Sequence, residues 1–269
     1  MTHQRILVPS ANGTTFPMDV YVPHVSKEVV PNPVRPAVVI CPGGAYQFCS
    51  EREAEPIALR FVMHGFNAFV VWYREKAEQE RFPKPQQDAA SAVACVRANA
   101  EKWHTDPNRI AILGFSAGGH LAGSLGVLWH RAELWQPLGL TPEQVKPNAL
   151  VLCYPVISGG KDAHRGSFEN LTGSDHLAEH ERYSLEKLVT ENCPPAFLWH
   201  TFEDDAVPVQ NSLLMAHALA EHKVPTELHI FPHGRHGSSL CSELTGGEHI
   251  IPEAQQWPEL AARFLKDAM

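Results

Sequence analysis

From about residue 36 onward, short uninterrupted apolar runs alternate with longer segments in which apolar residues recur every three or four positions. That alternation predicts an α/β fold with a mostly parallel central sheet and helices on both faces. Strands covered on both sides read as continuous hydrophobic runs, while each surface helix keeps a polar face. The expected strands are 37–41, 68–73, 110–115, 149–154, 196–201 and 227–231. Ahead of them, 5–8 and 18–22 predict an antiparallel N-terminal hairpin joined through Asn12-Gly13. Between Gln86 and Trp103, the residues Ala89, Val93, Val96, Ala100 and Trp103 make one apolar stripe and predict a helix over that whole span. Ser50-x-x-Glu53 has the form of a capping box for a helix with Pro56 in its first turn. The stretch 156–192, rich in Gly, His, Ser and Asp, breaks the rhythm. It predicts a partly helical insertion between core strands of a single domain covering 1–269.

Composition narrows the function classes. Lys and Arg number 22 against 30 Asp and Glu, a net charge of −8 with no basic block, so nucleic acid is not an expected partner. The first residues lack the apolar core of a secretory signal, and no run reaches the ~18 apolar residues of a membrane span. The expectation is a soluble, cytoplasmic protein away from membranes. The six cysteines show no C-x-x-C spacing and are expected as free thiols; H-E-x-x-H is absent, and neither a metal nor another cofactor is expected. Nothing in the pattern indicates an oligomeric state.

The chemistry begins at Gly114-Phe115-Ser116-Ala117-Gly118-Gly119-His120, where an apolar strand runs into a small-residue helix expected over 117–127. A serine between glycines at such a junction is a nucleophile-elbow pattern: the sharp turn lifts the hydroxyl above the sheet edge. A serine hydroxyl is a weak nucleophile and needs a base that is itself oriented by a third group. After the strand at 196–201 come three adjacent carboxylates, Glu203, Asp204 and Asp205, one of which is the candidate acid. The others would serve as a solvated turn or as the cap of a helix starting near Pro208. After the last strand, Pro232-His233-Gly234-Arg235-His236-Gly237 offers two loop histidines, of which His236 is preferred and His233 kept as the alternative. His120 is expected to pack within its helix. Oxyanion donors are expected from backbone amides of Ala117 and of the turn Cys41-Pro42-Gly43-Gly44-Ala45-Tyr46. Tyr46 and the segments 156–192 and 238–251 are expected to shape the substrate pocket, and Arg74 with Asp88 to form a structural ion pair or helix cap.

In this order, C-P-G-G-A-Y, G-F-S-A-G-G-H, D-D-A-V-P and H-G-R-H-G resemble the α/β-hydrolase superfamily, in particular its carboxylesterase branch that includes acetyl-xylan esterases and lipase/esterase-like proteins. The resemblance covers roughly residues 36–240. It implies Ser116 as nucleophile, Asp204 as the acid at the head of D-x-x-V-P, and His236 as the histidine of the G-x-H-G ending. It also implies Gly44 or Ala45 as oxyanion donor where relatives carry H-G-G-G; this chain lacks the leading histidine and has Ala45 for the third glycine. The implied activity is a serine carboxylesterase acting on short-chain, notably acetyl, esters of small molecules such as acetylated sugars. A prolyl-peptidase-like amidase and a non-catalytic binding protein of the same fold are the alternatives.

Overall fold

The computed structural model describes residues 1–26, 28, 34–75 and 80–269. Among them one eight-stranded sheet carries the order β1-β2-β4-β3-β5-β6-β7-β8. The strands are β1 (Thr2–Pro9), β2 (Thr15–Val22), β3 (Arg35–Cys41), β4 (Asn67–Val71), β5 (Thr105–Phe115), β6 (Ala149–Cys153), β7 (Ala196–Thr201) and β8 (Thr226–Phe231). The N-terminal hairpin is antiparallel, and β2 also joins β4 antiparallel. From β4 to β8 every pairing is parallel.

The continuous apolar runs bury both strand faces, with alternate residues entering different cores. Val39, Phe69, Ile112, Leu150 and Leu198 pack on one side with α2 (Lys84–Ala98), α3 (Ser116–Leu128) and the helix Gln210–Glu221. Val38, Ile40, Val70, Leu113 and Trp199 pack on the other with α1 (Glu55–Met63) and the helix Trp257–Ala268. The segment 156–192 lies between β6 and β7 and contains the helices Arg165–Thr172 and Leu177–Glu181.

Two expected helices differ from the sequence reading. The stripe beginning at Gln86 stays helical only to Ala98, because the Asn99 side-chain amide bonds the Cys95 carbonyl and the Asn67 amide holds the Trp103 carbonyl. Ala100 and Trp103 therefore lie in the following turns, although Trp103 still packs against Phe69. The capping box at Ser50 does not form. Residues Glu51–Glu53 make a 3-10 turn, α1 starts at Glu55, and Glu53 points inward. Arg74 and Asp88 form the expected ion pair, buried at 2.8 Å, with Asp88 also accepting the Arg74 backbone N–H at 3.0 Å. No helix of the described residues is long and apolar enough to cross a membrane.

Candidate active site

β5 passes into α3 with no loop between them: Phe115 ends the strand and Ser116 begins the helix with φ 52°. That left-handed conformation costs a non-glycine residue on the order of 1 kcal/mol or more and holds only where the surroundings impose it. The flanking glycines make room for it here. A Cβ at Gly114 would fall 1.9 Å from the Gly118 carbonyl oxygen, and one at Gly118 would fall 2.2 Å from that of Cys41. Hydrogen in place of a side chain thus lets the elbow close on itself and touch the turn that follows β3.

Ser116 Oγ lies 2.8 Å from His236 Nε2, and His236 Nδ1 lies 2.7 Å from Asp204 Oδ2. Asp204 is the capping residue of its own loop: Oδ1 accepts the N–H groups of Ala206 at 3.0 Å and Val207 at 2.7 Å. Its other oxygen also faces His200 Nε2 at 3.2 Å. Burial alone would raise the Asp204 pKa, but the bonds from His200, His236 and the Ala206 backbone outweigh it and hold the carboxyl far below the usual carboxylate range. This carboxyl therefore stays ionised.

All three neighbouring carboxylates reach the histidine loop, each in a different way. Glu203 Oε1 pairs with His233 Nδ1 at 3.1 Å, both side chains exposed. Asp205 Oδ1 accepts the His236 backbone N–H at 3.0 Å. The helix after Pro208 runs Gln210–Glu221 and takes no side-chain cap from this loop.

A cavity of about 180 Å³ opens over Ser116 and His236 and is lined also by Gly44, Ala45, Phe48 and His164. His164 comes from the 156–192 segment; its Nδ1 bonds Ser167 Oγ at 2.8 Å, and burial, followed by the nearby His236, lowers its pKa. The 238–251 segment does not line this cavity. Its Ile251 packs beneath Gly234 and its Ser239 hydroxyl donates to the Arg52 carbonyl, so it supports the histidine loop from below. A larger depression of about 630 Å³ lies beside β1 and β2, around His3, Asp19 and Trp72, and contains none of Ser116, Asp204 or His236.

In the turn after β3, the Gly43 N–H donates to Glu53 Oε2 at 2.8 Å and is thereby committed. Gly44 (φ 128°) and Ala45 (φ 56°) line the cavity, and Ala117 stands in the first turn of α3, where backbone N–H groups have no partner within the helix. Tyr46, expected in the pocket, is instead 2% exposed and outside the cavity lining. Positive φ at both Ala45 and Tyr46 turns its ring inward, against His120 Nδ1 at 2.9 Å.

His120 has a structural placement. Its Nε2–H donates to the Tyr183 carbonyl at 2.9 Å, leaving Nδ1 to accept the Tyr46 hydroxyl. Burial pushes this imidazole down to about 4 from 6.5. The folded state cannot take the proton that the unfolded chain binds below pH ~6.5, so stability falls as pH drops through that window. At one pH unit per ~1.4 kcal/mol the loss is on the order of 3 kcal/mol. His120→Gln should flatten that part of the profile in urea unfolding at pH 7, 5.5 and 4.5; an unchanged slope would exclude His120 as the source.

The sequence reading missed His200, Glu53 and Tyr154. Each is a polar residue inside an apolar stretch or a supposed helix cap, and only contacts to distant segments reveal what it does.

The family description BD-FAE matches residues 18–219. The chain belongs to this family of α/β hydrolases. Its sequence is 36% identical over 230 residues to endo-1,4-beta-xylanase B of Butyrivibrio fibrisolvens, covering 82% of this chain and 36% of that protein. The chain spans about a third to a half of the length of the first curated relatives it matches, at 36% and 46%. Among solved structures, an acetyl ester-xyloside bifunctional hydrolase from Caldicellulosiruptor lactoaceticus superposes with TM-score 0.80 and 38% identity, covering 95% of this chain and 89% of that one. A carboxylesterase from Lactobacillus plantarum gives TM-score 0.88 at 29% identity, covering 99% and 98%.

Proposed function

We propose that this BD-FAE chain is a serine carboxylesterase that removes short acyl groups, acetyl foremost, from small oxygen esters. The observation that carries the reading is the unbroken relay from Ser116 Oγ through His236 to Asp204, at 2.8 and 2.7 Å, opening on a small cavity. Ser116 Oγ attacks the ester carbonyl carbon, its proton passes to His236 Nε2, and the carbonyl π pair moves onto oxygen. Amides of Ala117 and of Gly44 or Ala45 would receive that oxyanion, each donor being worth roughly 3 to 4 kcal/mol in the transition state. Collapse expels the alcohol with the proton from His236. Water, deprotonated by the same imidazole, then frees the acid and regenerates Ser116.

The short-acyl preference follows from size, since about 180 Å³ is less than the roughly 300 Å³ at which ligand pockets begin. The relative described as acetyl ester-xyloside hydrolase supports an acetylated sugar as the alcohol side. With 4-nitrophenyl acetate, butyrate and octanoate, kcat/KM should fall by about tenfold or more from acetate to octanoate. Faster turnover of octanoate would overturn the short-acyl reading, and an aminoacyl naphthylamide cleaved faster than any ester would overturn the esterase.

A further inference from the structure

Glu53 is 2% exposed and stands between the two loops that frame Ser116. A buried carboxylate is costly unless its charge is used, and an uncharged side chain of similar volume generally stabilises as well or better. Its hydrogen bonds occupy both carboxyl oxygens. The Ser239 N–H donates to the Tyr154 hydroxyl at 2.9 Å, leaving the single phenolic proton to go to Glu53 Oε1 at 2.6 Å. Oε2 accepts the Gly43 N–H at 2.8 Å. Both carboxylate oxygens are thus placed as acceptors, an arrangement that favours the ionised form.

These contacts tie together parts of the site that are far apart in sequence. Gly43 precedes the two candidate oxyanion residues, and a Cβ on it would meet Glu53 Oε2 at 2.7 Å and Ser116 Cβ at 3.0 Å. Tyr154, just past β6 with φ 35°, packs its ring edge-to-face with that of His236, centroids 5.2 Å apart. Ser239 follows His236 by three residues and bonds the Arg52 carbonyl next to Glu53.

We propose that Glu53 is a positioning residue and the second anion of the site. Its carboxylate fixes the Gly43 peptide so that the following amides face the oxyanion, braces the His236 loop through Tyr154 and Ser239, and favours the imidazolium formed when Ser116 gives up its proton. This rests on the serine-esterase reading above. Arg52, Tyr154, Cys153 and His236 are the titratable groups around Glu53, and Asp204 and His164 the further ones around His236. Burial holds the Glu53 pKa above its ordinary value, the bonds from Tyr154 and Gly43 and the charges of His236 and Arg52 offsetting only part of that rise.

The test compares wild type, Glu53→Gln and Tyr154→Phe on 4-nitrophenyl acetate across pH. Glu53→Gln should lower kcat by about 10²-fold, the scale of a lost oxyanion donor, with KM within about threefold. It should also shift the acid limb of kcat/KM to lower pH, because His236 loses a neighbouring anion. Tyr154→Phe removes a donor from the carboxylate, so Glu53 takes up a proton more readily and the limb should move to higher pH. Opposite shifts support the inference. An acid limb unmoved in both variants, whatever the rate, makes Glu53 a purely structural residue and overturns it. So does a Glu53→Gln kcat within threefold of wild type. If Glu53→Gln does not fold, the Tyr154→Phe limb decides alone. A wild type inert toward every ester brings down the esterase reading first, and this inference with it.

Discussion

Ser116→Ala should abolish ester turnover, with kcat falling by about 10⁶-fold, the scale on which a serine triad fails without its nucleophile. The alanine keeps the backbone but leaves His236 Nε2, which bonds Ser116 Oγ at 2.8 Å, with no oxygen to deprotonate. Because serine already holds the φ of 52° in the space that Gly114 and Gly118 leave, and alanine carries the same Cβ, the substitution should leave the fold standing. Urea unfolding should then show a change of no more than about 1 kcal/mol. Labelling by a fluorophosphonate should be lost along with turnover. A variant that kept a few per cent of the wild-type rate would place the nucleophile elsewhere, and the relay through His236 would then be a structural contact.

Asp204→Asn should lower kcat by about 10⁴-fold, the loss seen when a triad acid is neutralised without changing its shape. The hydrogen-bond directions at this carboxyl explain why. Oδ1 must continue to accept from the Ala206 and Val207 amides, so the new NH₂ replaces Oδ2. There it meets His236 Nδ1 at 2.7 Å as a donor, forcing the proton onto Nε2, where Ser116 needs a base. It also faces His200 Nε2, whose proton is directed at the Val207 carbonyl and this carboxylate, so two donors confront each other. Asp205→Asn keeps an oxygen for the His236 backbone N–H and should cost less than about tenfold. Equal losses in the two variants would remove the distinction between the neighbours.

Both results depend on features legible to different degrees along the chain. The elbow could be read directly, because a serine between glycines at a strand–helix junction is a local constraint and the apolar run before it marks the strand. The loop pattern favours His236 over His233, and the structure places His236 beside Ser116 and His233 in an exposed pair with Glu203. The carboxylate that faces His236 is harder to read from the pattern. Three adjacent carboxylates are equivalent as composition, and they differ only in which part of the loop 232–237 each one meets after folding. Tyr46 shows the opposite problem: the residue stands in the right motif, but two successive positive φ angles turn it away from the cavity toward His120.

Local spacing was enough for the layered α/β architecture, the hairpin at its start and the serine elbow, since each is set by neighbours a few residues apart. Long-range packing set the strand order that puts β4 outside β3, the different partners of Glu203, Asp204 and Asp205, and the inward turn of Glu53 to Gly43 and Tyr154. The physical reason is range. Periodicity and turn chemistry act within one element, whereas a buried polar group takes its partner from whichever distant segment burial brings within about 3 Å, and nothing in the local pattern records that choice.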